Sequence, residues 1–268
     1  MTNIVTITSD WHKEDYYLSA LKGSLISLPF SLELVVLSNS VPKFDVLQEI
    51  FILKSSYRFF PDGTIHLLGV MSEPSAASQM VVFHYDNHYF IGVNDGRLSL
   101  LIKDSERIDI QNRFTVSRIL RRSNRGANTY CALDYFSEGV SAILSDSLES
   151  TTEVVPIKSE PEILPVTSNT TIVGKVIYID SFGNAITNIS REIFYGGDRS
   201  SQFVIYVGGP SIKINRVVKN YESWSDNRYI ALFNSLDLLE IAMYKGDFCM
   251  FESIEVGTEI LIKFKSEK

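Results

Sequence analysis

Residues 4–38 read IVTITSDWHKEDYYLSALKGSLISLPFSLELVVLS, and this stretch decides the fold of the first half of the chain. Ile4 to Thr8 is a short apolar run that predicts a buried strand ending at Ser9-Asp10. Asp15 to Leu28 carries Tyr17, Leu18, Leu21, Leu25 and Leu28 at helical spacing. Leu32 to Ser38 is a second apolar run of strand length. Working outward, Phe44 to Phe59 predicts a second helix, Asp62-Gly63 a turn, and Thr64 to Val70 a third strand. Val81 to Tyr85 and Tyr89 to Val93 flank Asp86-Asn87 as a hairpin, and Asp134 to Leu144 reads as a helix. Alternating strands and helices predict a layered α/β domain with a mainly parallel sheet, here over residues 1–150.

Beyond it the composition changes. Residues 151–171 contain Pro156, Pro161 and Pro165 among Ser, Thr and Glu, which is a linker composition. Residues 172–268 hold short strands separated by Gly and Asn turns: Gly174 to Ile179, Gln202 to Val207, Ser211 to Asn215, Tyr229 to Phe233, Leu239 to Ala242 and Glu259 to Lys265. A small all-β barrel domain is expected there.

The bulk properties narrow the function classes. A chain of 268 residues, 45% hydrophobic, can bury one large core or two modest ones. The net charge of −7 argues against general nucleic-acid or anionic-membrane binding. Arg118, Arg121, Arg122 and Arg125 form a local basic cluster, read as a solvated face or a structural ion-pair site. No apolar run approaches the roughly 20 residues of a membrane span, and the first residues lack a secretion signal. The two cysteines, Cys131 and Cys249, suggest no disulfide framework, so a cytoplasmic location is expected. The four histidines form no metal signature, because His84 and His88 flank the hairpin turn; no metal or other cofactor is expected.

Three segments offer chemistry. Asp10 stands at a strand end, where ligands of open α/β sheets bind. Its carboxylate could accept hydrogen bonds from a ribose diol, or serve as a plain helix cap. Asp180 to Ile189, DSFGNAITNI, combines a carboxylate for an ammonium group, a flat ring at Phe182, a permissive Gly183 and the two-way amide of Asn184. An ordinary Gly-Asn turn has the same appearance. Asn234 to Ala242, NSLDLLEIA, could bind a carboxylate through Ser235 and backbone N–H groups, or be a hairpin turn.

Taken in order, these segments resemble the S-adenosylmethionine hydrolases, or hydroxide adenosyltransferases, the family that includes the fluorinases and chlorinases. Ser9 to Gly23 resembles the family's T-D-F-G-x-x-D-x-Y-V-G-x-M-K-G, and Phe60 to His66 its F-P-x-G-T-V-H. Asn94-Asp95-Gly96-Arg97-Leu98 resembles D-N-G-x-L. Tyr178 to Ile189 resembles Y-I-D-x-F-G-N-x-x-T-N-I, and Asn234 to Ala242 resembles N-S-x-G-x-L-E-I-A. The matches run from residue 9 to about residue 246.

The resemblance implies an S-adenosylmethionine or adenosine ligand and a homotrimer that holds it between neighbouring subunits. It places Asp10 on the ribose hydroxyls, and Phe44 where the halogenases line the pocket with tryptophan. Asp180, Phe182 and Asn184 fall on the methionine and adenine regions, Tyr221 on the adenine ring, and Ser235 on the methionine carboxylate. The family's water-activating Asp, Arg and His, from V-D-P-G-V-G-x-x-R and T-F-H-G-R-D, are absent by position. Residues 69–80, GVMSEPSAASQM, contain no arginine, and only a two-residue insertion would let Glu73 stand for the Asp. Cys131 occupies the histidine position, and Ala132 the position of the halogenase serine. The halogenase insertion is missing as well. Glycine is replaced at His12 and Asp237. Cleavage of S-adenosylmethionine to adenosine and methionine is therefore expected to be weak, with Cys131 and Glu73 as the remaining catalytic candidates; the alternative is an inactive binding module, and after it a halogenase.

Overall fold

The computed structural model describes residues 2–103, 106–120, 130–197, 199–223 and 228–265. Arg121, Arg122, Arg125 and Thr129 lie outside the described residues; Arg118 forms an exposed ion pair with Glu153 at 3.3 Å. The chain forms two compact units, Met1–Pro161 and Glu162–Lys268.

In the first unit, β1 (Asn3–Thr8) leads to α1 (Tyr16–Ile26), β2 (Leu32–Ser38), α2 (Val46–Ser56) and β3 (Ile65–Leu68). The hairpin strands β4 (Met80–Tyr85) and β5 (His88–Val93) come next, then α3 (Ile110–Arg113), β6 (Thr115–Ile119), α4 (Ala132–Leu144), α5 (Leu148–Thr151) and β7 (Thr152–Pro156). The sheet order is β2-β1-β3-β5-β4-β6-β7. β2, β1, β3 and β5 run parallel, and β4, β6 and β7 extend the sheet antiparallel, so it is mixed.

Side-chain alternation along the strands sorts the core into two layers. Val5, Ile7, Ile65 and Leu67 pack with Leu18, Leu21 and Leu25 of α1 and Phe136 and Val140 of α4. Leu68, Val81, Phe83 and Phe90 face the other way, toward Ile50, Leu53 and Tyr57. Fully burying each of these side chains contributes about 1.5–3 kcal/mol. The hairpin turn has φ of 52° at Asp86 and 62° at Asn87, the left-handed pair that a two-residue primed turn requires. Within residues 151–171, Thr152–Pro156 pairs with β6, Ile157 is buried, and β8 (Val166–Thr167) belongs to the second unit.

That second unit contains β9 (Thr171–Ile179), β10 (Ala185–Ser190), α6 (Arg191–Tyr195), β11 (Phe203–Val207), β12 (Ile212–Ile214), β13 (Tyr229–Phe233), β14 (Leu238–Met243), α7 (Phe248–Glu252) and β15 (Glu259–Phe264). Its sheet runs β12-β11-β15-β9-β10-β14-β13 with antiparallel pairing, and β8 pairs with β9. It curls into a barrel-like form around Ile172, Val176, Phe194, Ile205, Ile241, Phe248, Ile260 and Ile262. Among the described residues, no helix is long and apolar enough to cross a membrane.

Candidate functional site

The carboxyl ends of β1, β2 and β3 meet at one corner of the first unit. The Ser9 N–H donates to the Ser38 carbonyl at 2.9 Å, Val41 N–H to the Ser9 carbonyl at 3.2 Å, and Gly69 N–H to the Thr8 carbonyl at 2.7 Å. A Cβ on Gly69 would lie 2.7 Å from the Ser9 Cβ, so only glycine lets the turn after β3 approach β1 this closely. Asp10 is the next residue along from Ser9 and is half-buried. Its Oδ2 accepts a hydrogen bond from the Phe44 N–H at 3.0 Å, which brings these two sequence-predicted residues together. Phe44 has φ 66° and is 70% exposed, a rare conformation for a bulky residue. Its neighbour Asp45 caps α2, accepting the Gln48 N–H at 3.0 Å, and so fixes where that helix starts.

Trp11 packs edge-on against Tyr130 with ring centroids 5.3 Å apart, and Tyr17 meets Tyr130 at 5.0 Å. The Tyr130 hydroxyl donates to the Tyr17 carbonyl at 3.1 Å. This cluster fastens the chain just after Asp10 to the start of α4, where Cys131 is half-buried and its carbonyl accepts the Asp134 N–H at 3.1 Å. Glu73 is exposed, and its charge is among the influences that raise the Tyr17 hydroxyl, after those of Tyr16, burial and Asp15.

A buried charge cluster lies beside this corner, and the sequence motifs gave it no role. The side chain of Glu49 on α2 is 0% exposed and that of Arg97 is 1% exposed, with Arg97 Nη1 2.9 Å from Glu49 Oε2. Arg97 also holds Asp95 through Nε–Oδ1 at 3.0 Å and Nη2–Oδ2 at 2.7 Å. Glu49 Oε1 accepts the Val70 N–H at 2.8 Å. Arg97 Nη1 donates to the Val70 carbonyl as well, and Nη2 reaches the Met71 carbonyl at 3.5 Å. Burial, helped by the Asp10 charge, pushes the Glu49 carboxyl up, while Arg97 and the Val70 N–H pull it back toward its charged form. Desolvation also works against the Arg97 charge, but Asp95 and Glu49 overcome it. The sequence signals were a lone Glu inside the apolar run VLQEIFIL and an Arg at the open position of D-N-G-x-L.

In the second unit, Asp180 Oδ1 accepts the N–H groups of Phe182 and Asn184, each at 2.9 Å, and Oδ2 accepts Asn184 Nδ2 at 2.9 Å. Gly183 has φ 76°, and a Cβ there would fall 2.0 Å from the Asp247 carboxylate. The turn leaves Phe182 75% exposed. Asn184 Nδ2 also donates to the Tyr221 hydroxyl at 3.3 Å, and that hydroxyl donates to buried Glu240. Burial, then the Glu240 bond and charge, raise the Tyr221 hydroxyl. Asn234 Nδ2 donates to the other Glu240 oxygen at 3.2 Å, and Asn234 Oδ1 accepts the N–H groups of Leu236 and Leu238. Ser235 stands exposed on that turn. Asp180, Asn184, Tyr221 and the 234–238 turn thus form one hydrogen-bonded group through Glu240, another residue to which the motifs assigned no role. At Asp237, where the family motif has glycine, φ is 57°, a conformation that Asp tolerates better than most residues. His12 is not among the described residues with positive φ. Among the described residues, no group of three or more His, Cys, Asp or Glu could hold a metal.

Residues 5–152 match the SAM hydroxide adenosyltransferase N-terminal domain, and residues 174–261 the C-terminal domain. The chain is 22% identical over 273 residues to the (R)-S-adenosyl-L-methionine hydrolase of Methanocaldococcus jannaschii, covering 97% of this chain and 95% of that one. It is 23% identical over 247 residues to the enzyme of the same name from Thermus thermophilus, covering 90% and 92%. Among solved structures, an uncharacterized conserved protein from Thermotoga maritima superposes with a TM-score of 0.81 at 21% identity, covering 97% of this chain and 99% of that one. With both domain matches in chain order over most of its length, the chain belongs to the SAM hydroxide adenosyltransferase family.

Proposed function

We propose that this protein binds S-adenosylmethionine and cleaves it slowly to adenosine and methionine. The observation that carries the reading is Asp10, held at the carboxyl end of β1 by the Phe44 N–H at 3.0 Å, with Oδ1 left to accept from a ribose diol. Phe182, Asn184, Tyr221 and Ser235 take the adenine and methionine ends, with Asp180 shaping the turn that carries Phe182. A homotrimer in which both groups of residues serve one ligand is part of the proposal.

In the reaction, a water oxygen bonds to ribose C5′ and the C5′–S bond breaks, its electron pair going to sulfur. Methionine leaves and a proton passes to solvent. Sulfonium is a good leaving group, so positioning and desolvation of the water carry most of the rate. General-base assistance typically adds about 10²–10⁴-fold. With Cys131 and Glu73 in place of the family's His and Asp, that assistance is reduced. Incubation with S-adenosylmethionine and chromatography of the products is the test. Adenosine and methionine should appear at a rate below that of relatives with the full set; an ordinary enzymatic rate contradicts the claim of reduced turnover. A second reading, a binding module without turnover, is favoured by Cys131 at the start of α4. Absence of products with binding retained selects it, and loss of turnover in Cys131→Ala assigns the thiol a catalytic role.

A further inference from the structure

Val70 is clasped on both sides by one buried ion pair. Its N–H donates to Glu49 and its carbonyl accepts from Arg97, while Asp95 holds the other edge of the same guanidinium. The next residue, Met71, has φ 45° and is 53% exposed. The preceding residue, Gly69, lies against Ser9, immediately before Asp10. The cluster therefore grips the backbone that borders Asp10, and it holds a non-glycine residue there in a conformation with an intrinsic cost. The Thr8 and Ser9 hydroxyls, buried at the same corner, make no hydrogen bond among the described residues, so polar capacity there is uncommitted among them.

We propose that Glu49, Arg97 and Asp95 are positioning residues that hold the Val70–Met71 turn in its binding-competent form, Arg97 supplying the fixed guanidinium that residues 69–80 lack. This rests on the proposed binding of S-adenosylmethionine. A stability role alone is a weak explanation for the cluster, because well-packed apolar residues of similar volume often stabilise a fold as well as a buried ion pair does. What the ion pair adds is a fork of donors aimed at two successive carbonyls, which lysine cannot reproduce.

The test is calorimetric titration of S-adenosylmethionine into wild type, Arg97→Lys and the double variant Glu49→Met/Arg97→Met, with melting curves alongside. Hydrogen exchange at residues 69–73 is read in the same proteins. Small misplacements at a site can cost up to about 10²-fold in function, so Kd should rise by about tenfold or more in Arg97→Lys and in the double variant. In a double variant that melts near wild type, such a loss belongs to positioning. Exchange at 70–72 should quicken while β5 is unchanged. A folded double variant with wild-type Kd overturns the inference and leaves the cluster a structural ion pair. If the double variant does not fold, unchanged Kd in Arg97→Lys overturns it by the same criterion. No heat from wild type itself instead overturns the underlying reading, and the inference falls with it.

Discussion

Gly183 shows how much of the second unit's site depends on one missing Cβ. Its φ of 76° suits glycine, and an added Cβ would fall 2.0 Å from the Asp247 oxygen that caps α7 through the Met250 N–H. Gly183→Ala must shift the turn or uncap the helix, so we expect a loss of roughly 1–3 kcal/mol. A fall in melting temperature checks this, and an unchanged melt contradicts it. The glycine was legible in the sequence because a Gly-Asn turn after a strand has a distinct appearance. The Glu49–Arg97 pair was not: 48 residues separate the partners, and the guanidinium's bonds to Val70 and Met71 leave no mark in any motif. Absence of arginine from residues 69–80 therefore did not mean absence of a guanidinium from that turn.

At the scale of elements, apolar spacing located α1, β2 and the β4–β5 hairpin well, because each segregates its apolar residues by a clear period. β6 and β7 escaped notice. Thr115–Ile119 is short and contains Arg118 of the arginine cluster, and it pairs with Thr152–Pro156, which has linker composition. Only the long-range pairing identifies either as a strand. The sheet also carries a buried polar chain that no periodicity reveals: Thr6 Oγ1 lies 2.7 Å from His66 Nδ1, and His66 Nε2 lies 3.2 Å from His88 Nδ1. Burial, and then the neighbouring His88, lowers His66 to about 3, whereas an unfolded histidine titrates near 6.5. Between those values the unfolded chain binds a proton that the folded one excludes. Stability is therefore fully present above about pH 6.5 and lost as pH falls toward 3, with a limiting slope of about 1.4 kcal/mol per pH unit. His88, also lowered by burial, acts in the same direction. Urea unfolding between pH 7 and 4.5 should show the decline, and His66→Gln should reduce its slope. An equal slope in both proteins would remove His66 as the cause.

At the scale of the whole molecule, each unit carries its own candidate set of groups: Asp10 and Phe44 in the first, and the Asp180–Asn184–Tyr221–Glu240 group in the second. The sequence departs from the family motifs along residues 69–80, at Cys131 and at the two lost glycines, His12 and Asp237, whereas Asp10, Asp180, Phe182, Asn184 and Ser235 match them. That division separates binding from turnover, and binding is the central claim. It is tested most directly by calorimetric titration of S-adenosylmethionine into wild type and Asp10→Ala, at a concentration where light scattering shows the oligomer. The account predicts saturable heat from a trimer, and weakening by about 1.5–3 kcal/mol in Asp10→Ala, the usual contribution of a hydrogen bond to a charged group. No heat with either S-adenosylmethionine or adenosine, or full affinity in Asp10→Ala, would contradict it.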